Sequence, residues 1–204
     1  SVCSSDLDYV QAVRKLCDEK DLVLIVDEVQ TGVGRTGTFL CCEHYNLKPD
    51  VVTLAKGLGG GLPIGAVLMN EKVAESMGPG THGSTFGGNP VVCAGANVVV
   101  DRMDQSFLAN VNERAVQLRA GIAKLPHVKS ISGIGLMVGI EFYDLKAADV
   151  LAACREAGLL VLTAKTRLRL LPPLTLSEHD VDMALEILSD VLGKMEPTAP
   201  KEQA

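Results

Sequence analysis

The sequence lacks the features of a membrane-spanning protein and of a nucleic-acid-binding protein. No apolar run approaches the roughly 20 residues that a helix needs to cross a bilayer, and the first ten residues show no signal-peptide pattern. The net charge of −6 argues against nucleic acid as the main partner. With 47% hydrophobic and 22% charged residues among 204, the composition is typical of a globular chain with one or two cores.

The six cysteines lack the spacing of a zinc site or of a disulfide framework. Cys41 and Cys42 are adjacent, and the other four are scattered among apolar positions. Free buried thiols in a reducing compartment are the plain interpretation of this pattern. We therefore expect no bound metal and a cytoplasmic protein.

Two short apolar runs end abruptly on charged residues. Leu22 to Val26 stops at Asp27, and Val51 to Ala55 stops at Lys56 and a glycine cluster. Runs of this length and composition predict strands buried on both faces of a parallel sheet. Because ligands bind beyond the carboxyl ends of such strands, we expect the acid and the amine to face one crevice.

An acid and an amine at one crevice suit pyridoxal phosphate chemistry. The amine of Lys56 can form a Schiff base with a carbonyl cofactor, and a carboxylate at Asp27 can keep a pyridine nitrogen protonated. Strand alternation predicts that Val29 points to the same side as Asp27, where it could press on a flat ring. On spacing alone, an acid and an amine that simply end two strands explain the pattern equally well.

Three longer motifs separate these interpretations: IVDEVQTGVGRTG, LAKGLGGGLPIGAV and GTHGSTFGGNPVVCA. In this order they closely resemble the class III aminotransferases, which are pyridoxal-phosphate enzymes of fold type I. The resemblance is nearly unbroken from Leu22 to Met103 and continues more loosely through LRLLPPLTLSEHD near the C-terminus. It covers most of the chain and is far more specific than a lone glycine pattern.

The resemblance implies an α/β fold in two parts. Residues 1–105 would be the C-terminal part of the large cofactor-binding domain with its mixed sheet, and residues 106–204 a small α+β domain. The family's glycine-containing phosphate turn, its cofactor-stacking aromatic ring and an upstream substrate arginine have no counterpart here. We therefore expect the chain to be the C-terminal half of an enzyme about twice as long, and to bind the cofactor weakly by itself.

Site residues follow from the resemblance, position by position. Lys56 and Asp27 would be catalytic, and the cofactor would be bound by Asp27, Glu28, Val29, Gln30, Lys56 and Thr85. Glu28 would contribute its backbone, with its side chain turned away from Asp27. Ser84 and Arg169 would bind substrate. The guanidinium of Arg169 carries paired N–H donors whose geometry matches the two oxygens of a carboxylate. Thr85 would meet the phosphate of the partner subunit's cofactor in a homodimer with shared active sites.

The remaining patterns predict helices and strands along the chain. We expect helices near residues 7–20, 71–77, 89–103, 107–125, 145–157 and 178–195, with Ser5 or Asp6 capping the first and Ser177 the last. Strands are expected at residues 64–69, 128–131, 136–142, 159–163 and 167–171. The apolar helix at residues 89–103 is expected to be buried, and the tail from Glu196 to be disordered.

The implied reaction moves the δ-amino group of N-acetylornithine to 2-oxoglutarate, in arginine biosynthesis. It gives glutamate and a semialdehyde, with no nucleic acid or membrane as partner. Sibling enzymes acting on ornithine, succinylornithine or 4-aminobutyrate share the chemistry and stay open as alternatives. A non-catalytic fragment that keeps the fold is the second alternative.

Overall fold

The computed structural model describes residues 7–197, which form two compact units, residues 7–109 and residues 110–197. The capping residues Ser5 and Asp6, and most of the C-terminal tail, lie outside the described residues. No helix among residues 7–197 has the length and apolar character needed to span a bilayer. The predicted domain boundary after residue 105 stays a prediction.

The first unit is built on a three-stranded sheet with β2 at its centre. Its strands are β1 (Ile25–Asp27), β2 (Val51–Leu54) and β3 (Ala66–Met69), and its helices are α1 (Leu7–Glu19), α2 (Glu71–Ala74) and α3 (Pro90–Arg102). β1 runs parallel to β2, as predicted, whereas β3 is antiparallel to it. Short 3-10 helices, Cys41–Tyr45 and Lys56–Gly59, follow β1 and β2.

The core of this unit lies against β2. Val52 and Leu54 are buried there with Val33, Leu58 and Ala96, so β2 is a buried strand, as its apolar run predicts. Each methylene removed from water in such a core contributes about 0.8 kcal/mol. The buried core therefore holds the carboxyl end of β2 in place, two residues before Lys56.

The prediction that the first apolar run forms a strand buried on both faces is wrong. Only Ile25–Asp27 is strand, and Leu22, Val23 and Ile25 are 50%, 46% and 60% exposed. The reason is topological, because within residues 7–197 β1 is an edge strand that pairs with β2 on one side only. An apolar run in an edge strand can have the same composition as one in a central strand, although the edge strand is not covered on both faces.

The helix α3 also differs from its predicted burial. Asn89 caps it through bonds from Val91 N and Val92 N to its side-chain oxygen, at 3.0 and 3.3 Å, and Pro90 occupies the first turn. Ala96 is its only buried residue, while Val91 is 70% exposed. The helix forms as predicted, but most of its apolar surface has no cover within the described chain.

The second unit contains an antiparallel four-stranded sheet in the order β4-β5-β7-β6. The strands are β4 (Val128–Ser132), β5 (Val138–Phe142), β6 (Leu162–Ala164) and β7 (Arg167–Leu170). Helices α5 (Ala147–Glu156) and α6 (Glu178–Lys194) belong to it, and α4 (Gln105–Ile122) runs into it from the first unit. All of these elements were predicted, within a few residues at their ends.

The core of the second unit follows the sequence periodicities. The helix predicted near residues 107–125 buries an apolar stripe at Val111, Ala115, Leu118 and Ile122, spaced three or four residues apart. β5 alternates strictly, with Val138, Ile140 and Phe142 buried and Gly139 and Glu141 partly exposed on its other face.

Two helix ends in this unit depend on local chemistry, and the Ser177 cap is the one predicted above. Gly158, at φ 87°, ends α5, with bonds from Gly158 N to Arg155 O and from Leu159 N to Cys154 O. Ser177 caps α6 in a reciprocal pair with Asp180. Both ends were readable from the sequence because they depend on residues close in the chain.

Candidate active site

The parallel pairing of β1 and β2 brings Asp27 and Lys56 to the same edge of the sheet. Asp27 is the last residue of β1 and lies opposite Thr53 in β2. β2 ends at Leu54, and Lys56 follows two residues later. Both charged side chains are exposed. The edge that the sequence predicts as a crevice therefore presents a carboxylate and an amine from neighbouring parallel strands.

The Asp27 carboxylate is held by one of its two oxygens. Its Oδ1 accepts hydrogen bonds from Val29 N at 2.9 Å and from Thr53 Oγ1 at 3.2 Å. Within the described part of the chain, no hydrogen bond to Oδ2 is present. The side chain is thus oriented by its neighbours while one oxygen stays available to a ligand.

Lys56 occupies a backbone conformation that non-glycine residues rarely adopt. Its φ is 48°, and Ala55 before it has φ −163° and ψ −148°. Such residues cost about 1–3 kcal/mol each and cluster at functional sites. Lys56 forms no ion pair within residues 7–197. Lys56 thus presents an exposed amine that no carboxylate of the described chain pairs with.

Val29 and Gln30 lie on the turn that follows β1, not on the strand. The alternation argument for Val29 is therefore wrong, because β1 ends at Asp27 and the chain turns at once. Val29 instead lies next to Asp27 through the bond from its own main-chain nitrogen. Gln30 is exposed on the same turn. Both remain beside the carboxylate, although by turn geometry.

Glu28 is the most deeply buried charged residue among those the structure describes, at 1% exposure. Its Oε1 accepts a bond from Cys42 N at 2.7 Å, and its Oε2 accepts one from Thr31 Oγ1. Burial, and then the nearby Glu28 carboxylate, raise the pKa of the Cys42 thiol to about 11. The side chain thus points into the protein, and only the main chain of Glu28 lies next to Asp27.

Ser84 and Thr85 lie on an exposed loop between α2 and α3. Ser84 Oγ accepts a bond from Gly87 N at 3.1 Å, and a side chain on Gly87 would come within 2.9 Å of Ser84 Cβ. Thr85 is exposed, and Phe86 beside it is 84% exposed. The loop therefore presents its hydroxyl groups and an aromatic ring outward.

Arg169 lies in β7 of the second unit, opposite Gly139 in β5. On the same face, Arg167 contacts Glu141 at 3.5 Å, and Glu141 is also bound by Lys129 at 2.8 Å. No carboxylate of the described chain pairs with Arg169. An ordinary ion pair within the described chain therefore does not account for Arg169.

Sequence reasoning missed one residue of the Asp27 site, Thr53. Its hydroxyl donates to Asp27 Oδ1, and its carbonyl accepts from Glu28 N at 3.0 Å. The register of two parallel strands that end together places residue 53 opposite residue 27. Aligning the ends of the two apolar runs would have placed Lys56, not Thr53, opposite Asp27, so the sequence pattern carried no signal for this residue.

A comparison of the chain with protein-family models defines its class. The model for class-III aminotransferases matches residues 2–192. The chain therefore belongs to the class III aminotransferases, which are pyridoxal-phosphate-dependent transaminases of fold type I. The family agrees with the α/β architecture and with the lysine and aspartate at one edge of the first sheet.

Within this family, the chain is similar to acetylornithine aminotransferases. It is 53% identical to that of Haemophilus ducreyi over 95% of the chain and 50% of the relative, and 46% identical to that of Aquifex aeolicus over 91% and 49%. Among solved structures, the N-acetylornithine aminotransferase of Stenotrophomonas maltophilia is 36% identical, with a TM-score of 0.82 over 90% of this chain and 50% of that one. An ornithine δ-aminotransferase of Plasmodium falciparum is 34% identical, with a TM-score of 0.78 over 92% and 51%.

The chain spans about half the length of the curated relatives that it matches.

The residues present suit the family's cofactor. Asp27 offers a fixed carboxylate with one free oxygen, and Lys56 offers an exposed amine at the same sheet edge. A carboxylate and a primary amine are the two groups that pyridoxal phosphate needs from a protein at its ring nitrogen and its carbonyl carbon.

Proposed function

We propose that this chain carries the catalytic lysine of a transaminase that moves the δ-amino group of N-acetylornithine to 2-oxoglutarate. The observation that supports the chemistry is the parallel register of β1 and β2, which places Asp27 and Lys56 at one edge. Pyridoxal phosphate, when bound, supplies a carbonyl carbon that bonds amines and a ring that accepts the electron pair released from the substrate carbon.

In this proposal Lys56 has two tasks. Its Nζ would hold the cofactor at the cofactor's carbonyl carbon until a donor amine binds there. As a free amine, Nζ would then take the proton from the substrate carbon that bears the transferred nitrogen and deliver it to that cofactor carbon. A positioned proton transfer of this kind is typically worth about 10²–10⁴-fold in rate.

Asp27 holds a proton on the cofactor ring nitrogen. A carboxylate close to that nitrogen favours its charged form, and the bonds from Val29 N and Thr53 Oγ1 keep the carboxylate in one orientation. Val29 would contact the ring face, Gln30 would bond the ring hydroxyl, and Glu28 would contribute through its main chain. The turn after β1 thereby acts as one binding element.

The loop that carries Ser84 and Thr85 serves a partner subunit in a homodimer. Thr85 binds the phosphate of the partner's cofactor, and Ser84 contacts substrate. The support is the outward position of this loop, together with the exposed apolar side chains of Phe86 and Val91 nearby. Exposed apolar surface of this kind is typical of protein–protein interfaces.

Arg169 binds the α-carboxylate of 2-oxoglutarate and of glutamate. The residue is half-buried in β7, and its guanidinium has no carboxylate partner within the described chain. An unpaired guanidinium can bind a carboxylate through two parallel N–H···O hydrogen bonds. The neighbouring Arg167 is already paired with Glu141.

The choice of donor rests on the relatives. Curated relatives that are 42–53% identical are named acetylornithine aminotransferases. The solved structures do not separate the two donors, since those of acetylornithine aminotransferases are 32–36% identical and those of ornithine aminotransferases 34–35%. We take N-acetylornithine as the donor and ornithine as the second candidate. The pathway is then arginine biosynthesis, the location the cytoplasm, and neither nucleic acid nor membrane a partner.

Steady-state kinetics of the native gene product test this proposal. We expect kcat/KM for N-acetylornithine to exceed that for ornithine and 4-aminobutyrate, with 2-oxoglutarate as acceptor. Lys56→Ala should abolish turnover, while Lys48→Ala, at the opposite end of β2, should retain it. Higher kcat/KM with ornithine would overturn the donor assignment, and turnover by Lys56→Ala would overturn the mechanism.

A further inference from the structure

We propose that Glu28 is a positioning residue for Asp27, acting through the turn that follows β1. The inference rests on the proposed role of Asp27 at the cofactor ring nitrogen. Glu28 follows Asp27 directly in sequence, but its side chain is directed into the protein and is 1% exposed. A carboxylate at that depth is stable only when its oxygens are well bonded.

The bonds of Glu28 connect the turn to a second segment of the unit. Its Oε1 accepts from Cys42 N at 2.7 Å, in the 3-10 helix Cys41–Tyr45, and its Oε2 accepts from Thr31 Oγ1. Neither donor is a charged side chain, so the two bonds fix the position of the Glu28 carboxylate but do not neutralise its charge. Charge-assisted bonds of this type are roughly twice as strong as neutral ones.

The main chain of Glu28 is held as firmly as its side chain. Glu28 N donates to Thr53 O at 3.0 Å, and Glu28 O accepts from Gly32 N at 2.9 Å. A side chain on Gly32 would come within 2.8 Å of Leu54 Cδ2, so the turn packs directly on the end of β2.

The consequence concerns the exposed carboxylate next in the chain. Asp27 depends on the nitrogen of Val29, on the far side of Glu28, for one of its two bonds. Anchoring Glu28 therefore fixes both residues that flank it. Loss of the anchor would let the Val29 nitrogen move away from Asp27 Oδ1, and a misplacement of about 1 Å can cost 10²-fold in rate.

Glu28→Gln in the native gene product removes the charge and replaces one acceptor oxygen with an NH2 donor, while keeping the size of the side chain. We expect kcat to fall between about 10- and 100-fold, with KM for the amine donor within about twofold because no substrate contact is lost. Glu43→Gln is the matched control, since Glu43 also accepts a main-chain bond, from Leu40 N at 2.7 Å, but is exposed. It should leave kcat unchanged.

A second measurement reports on the cofactor-free protein. Hydrogen exchange of a peptide covering residues 27–33 should be faster in Glu28→Gln than in the wild type. A peptide covering β4 and β5 should exchange as before. Thr31→Val removes one of the two donors and leaves the carboxylate in place, so it should act in the same direction. If the Glu28→Gln protein does not fold, Thr31→Val takes its place in the kinetic and hydrogen-exchange measurements.

The decisive comparison places Glu28→Gln in an Asp27→Asn background. If Glu28 acts through Asp27, its substitution causes no further fall in kcat there. An equal fall in both backgrounds, or wild-type kcat and exchange in Glu28→Gln, would overturn the inference. If Asp27→Asn itself leaves kcat unchanged, the proposed function fails instead, so the two failures are distinguishable.

Discussion

The strongest stability prediction concerns Asp50, at the amino end of β2. Its Oδ2 accepts from Leu24 N at 2.8 Å and from Arg14 Nη1 at 2.9 Å, and its Oδ1 accepts from Asn70 Nδ2 at 2.7 Å. One carboxylate therefore joins α1, the segment before β1 and the end of β3. It lies at the opposite end of the parallel strand pair from Asp27 and Lys56.

The magnitude follows from the bonds that favour the charged carboxylate. The bond from Leu24 N, followed by that from Arg14, lowers the pKa of Asp50 from 3.8 to about 2. A depression of this size corresponds to about 2 kcal/mol of folding free energy at neutral pH. Because solvent screens part of the pair with Arg14, we expect Asp50→Asn to cost between about 1 and 2 kcal/mol.

The assay is hydrogen exchange of the native gene product at pH 7. Peptides that cover β1 and β2 should exchange about 5- to 30-fold faster in Asp50→Asn, which is the rate equivalent of that free energy. Asp18→Asn is the matched control. Asp18 also binds Arg14, at 2.6 Å, but its side chain is 66% exposed, so its loss should have little effect.

The same carboxylate predicts a pH dependence. Because the folded-state pKa is below the unfolded value, its contribution is fully present above about pH 4 and is lost as the pH falls toward 2. Urea unfolding at pH 7 and at pH 3 should therefore differ less in Asp50→Asn than in the wild type. Equal exchange in Asp50→Asn and the wild type, or an unchanged pH dependence, would refute this reasoning.

Three further predictions concern other parts of the chain. The Cys42 thiol, with its pKa raised to about 11, should resist iodoacetamide at pH 8 in the native protein and react after denaturation, as followed by mass spectrometry; rapid native labelling would contradict the burial described here. Ser177→Ala should cost about 1 kcal/mol in denaturant unfolding because the capping pair with Asp180 is lost; an unchanged midpoint would show that the cap contributes nothing. Arg169→Lys should raise KM for 2-oxoglutarate at least about tenfold because the bidentate fork is lost, whereas Arg167→Lys should not; equal effects would remove the substrate role of Arg169.

Much of the fold was predictable from the sequence because local patterns determine it. The stripe on α4, the alternation of β5 and the glycine that ends α5 each depend on residues close together in the chain. The pairing of β1 with β2 followed from two apolar runs of similar length. Periodicity and turn chemistry are sufficient for such features.

The errors arose where burial depends on distant parts of the structure. Composition could not reveal that β1 is a sheet edge or that α3 leaves Val91 exposed, because covering layers are not encoded in the covered strand or helix. The turn directly after Asp27 was also missed, which moved Val29 off the strand. At the site, pattern and resemblance indicated Asp27 and Lys56, while Thr53 and the anchoring bonds of Glu28 required three-dimensional register.

The most direct test of the central claim asks which amine bonds the cofactor. Native gene product loaded with pyridoxal phosphate is reduced with borohydride, digested and analysed by mass spectrometry. We predict the reduced cofactor on the peptide that contains Lys56, and its loss in Lys56→Ala but not in Lys48→Ala. Cofactor on a different lysine, with Lys56 unmodified, would contradict the account.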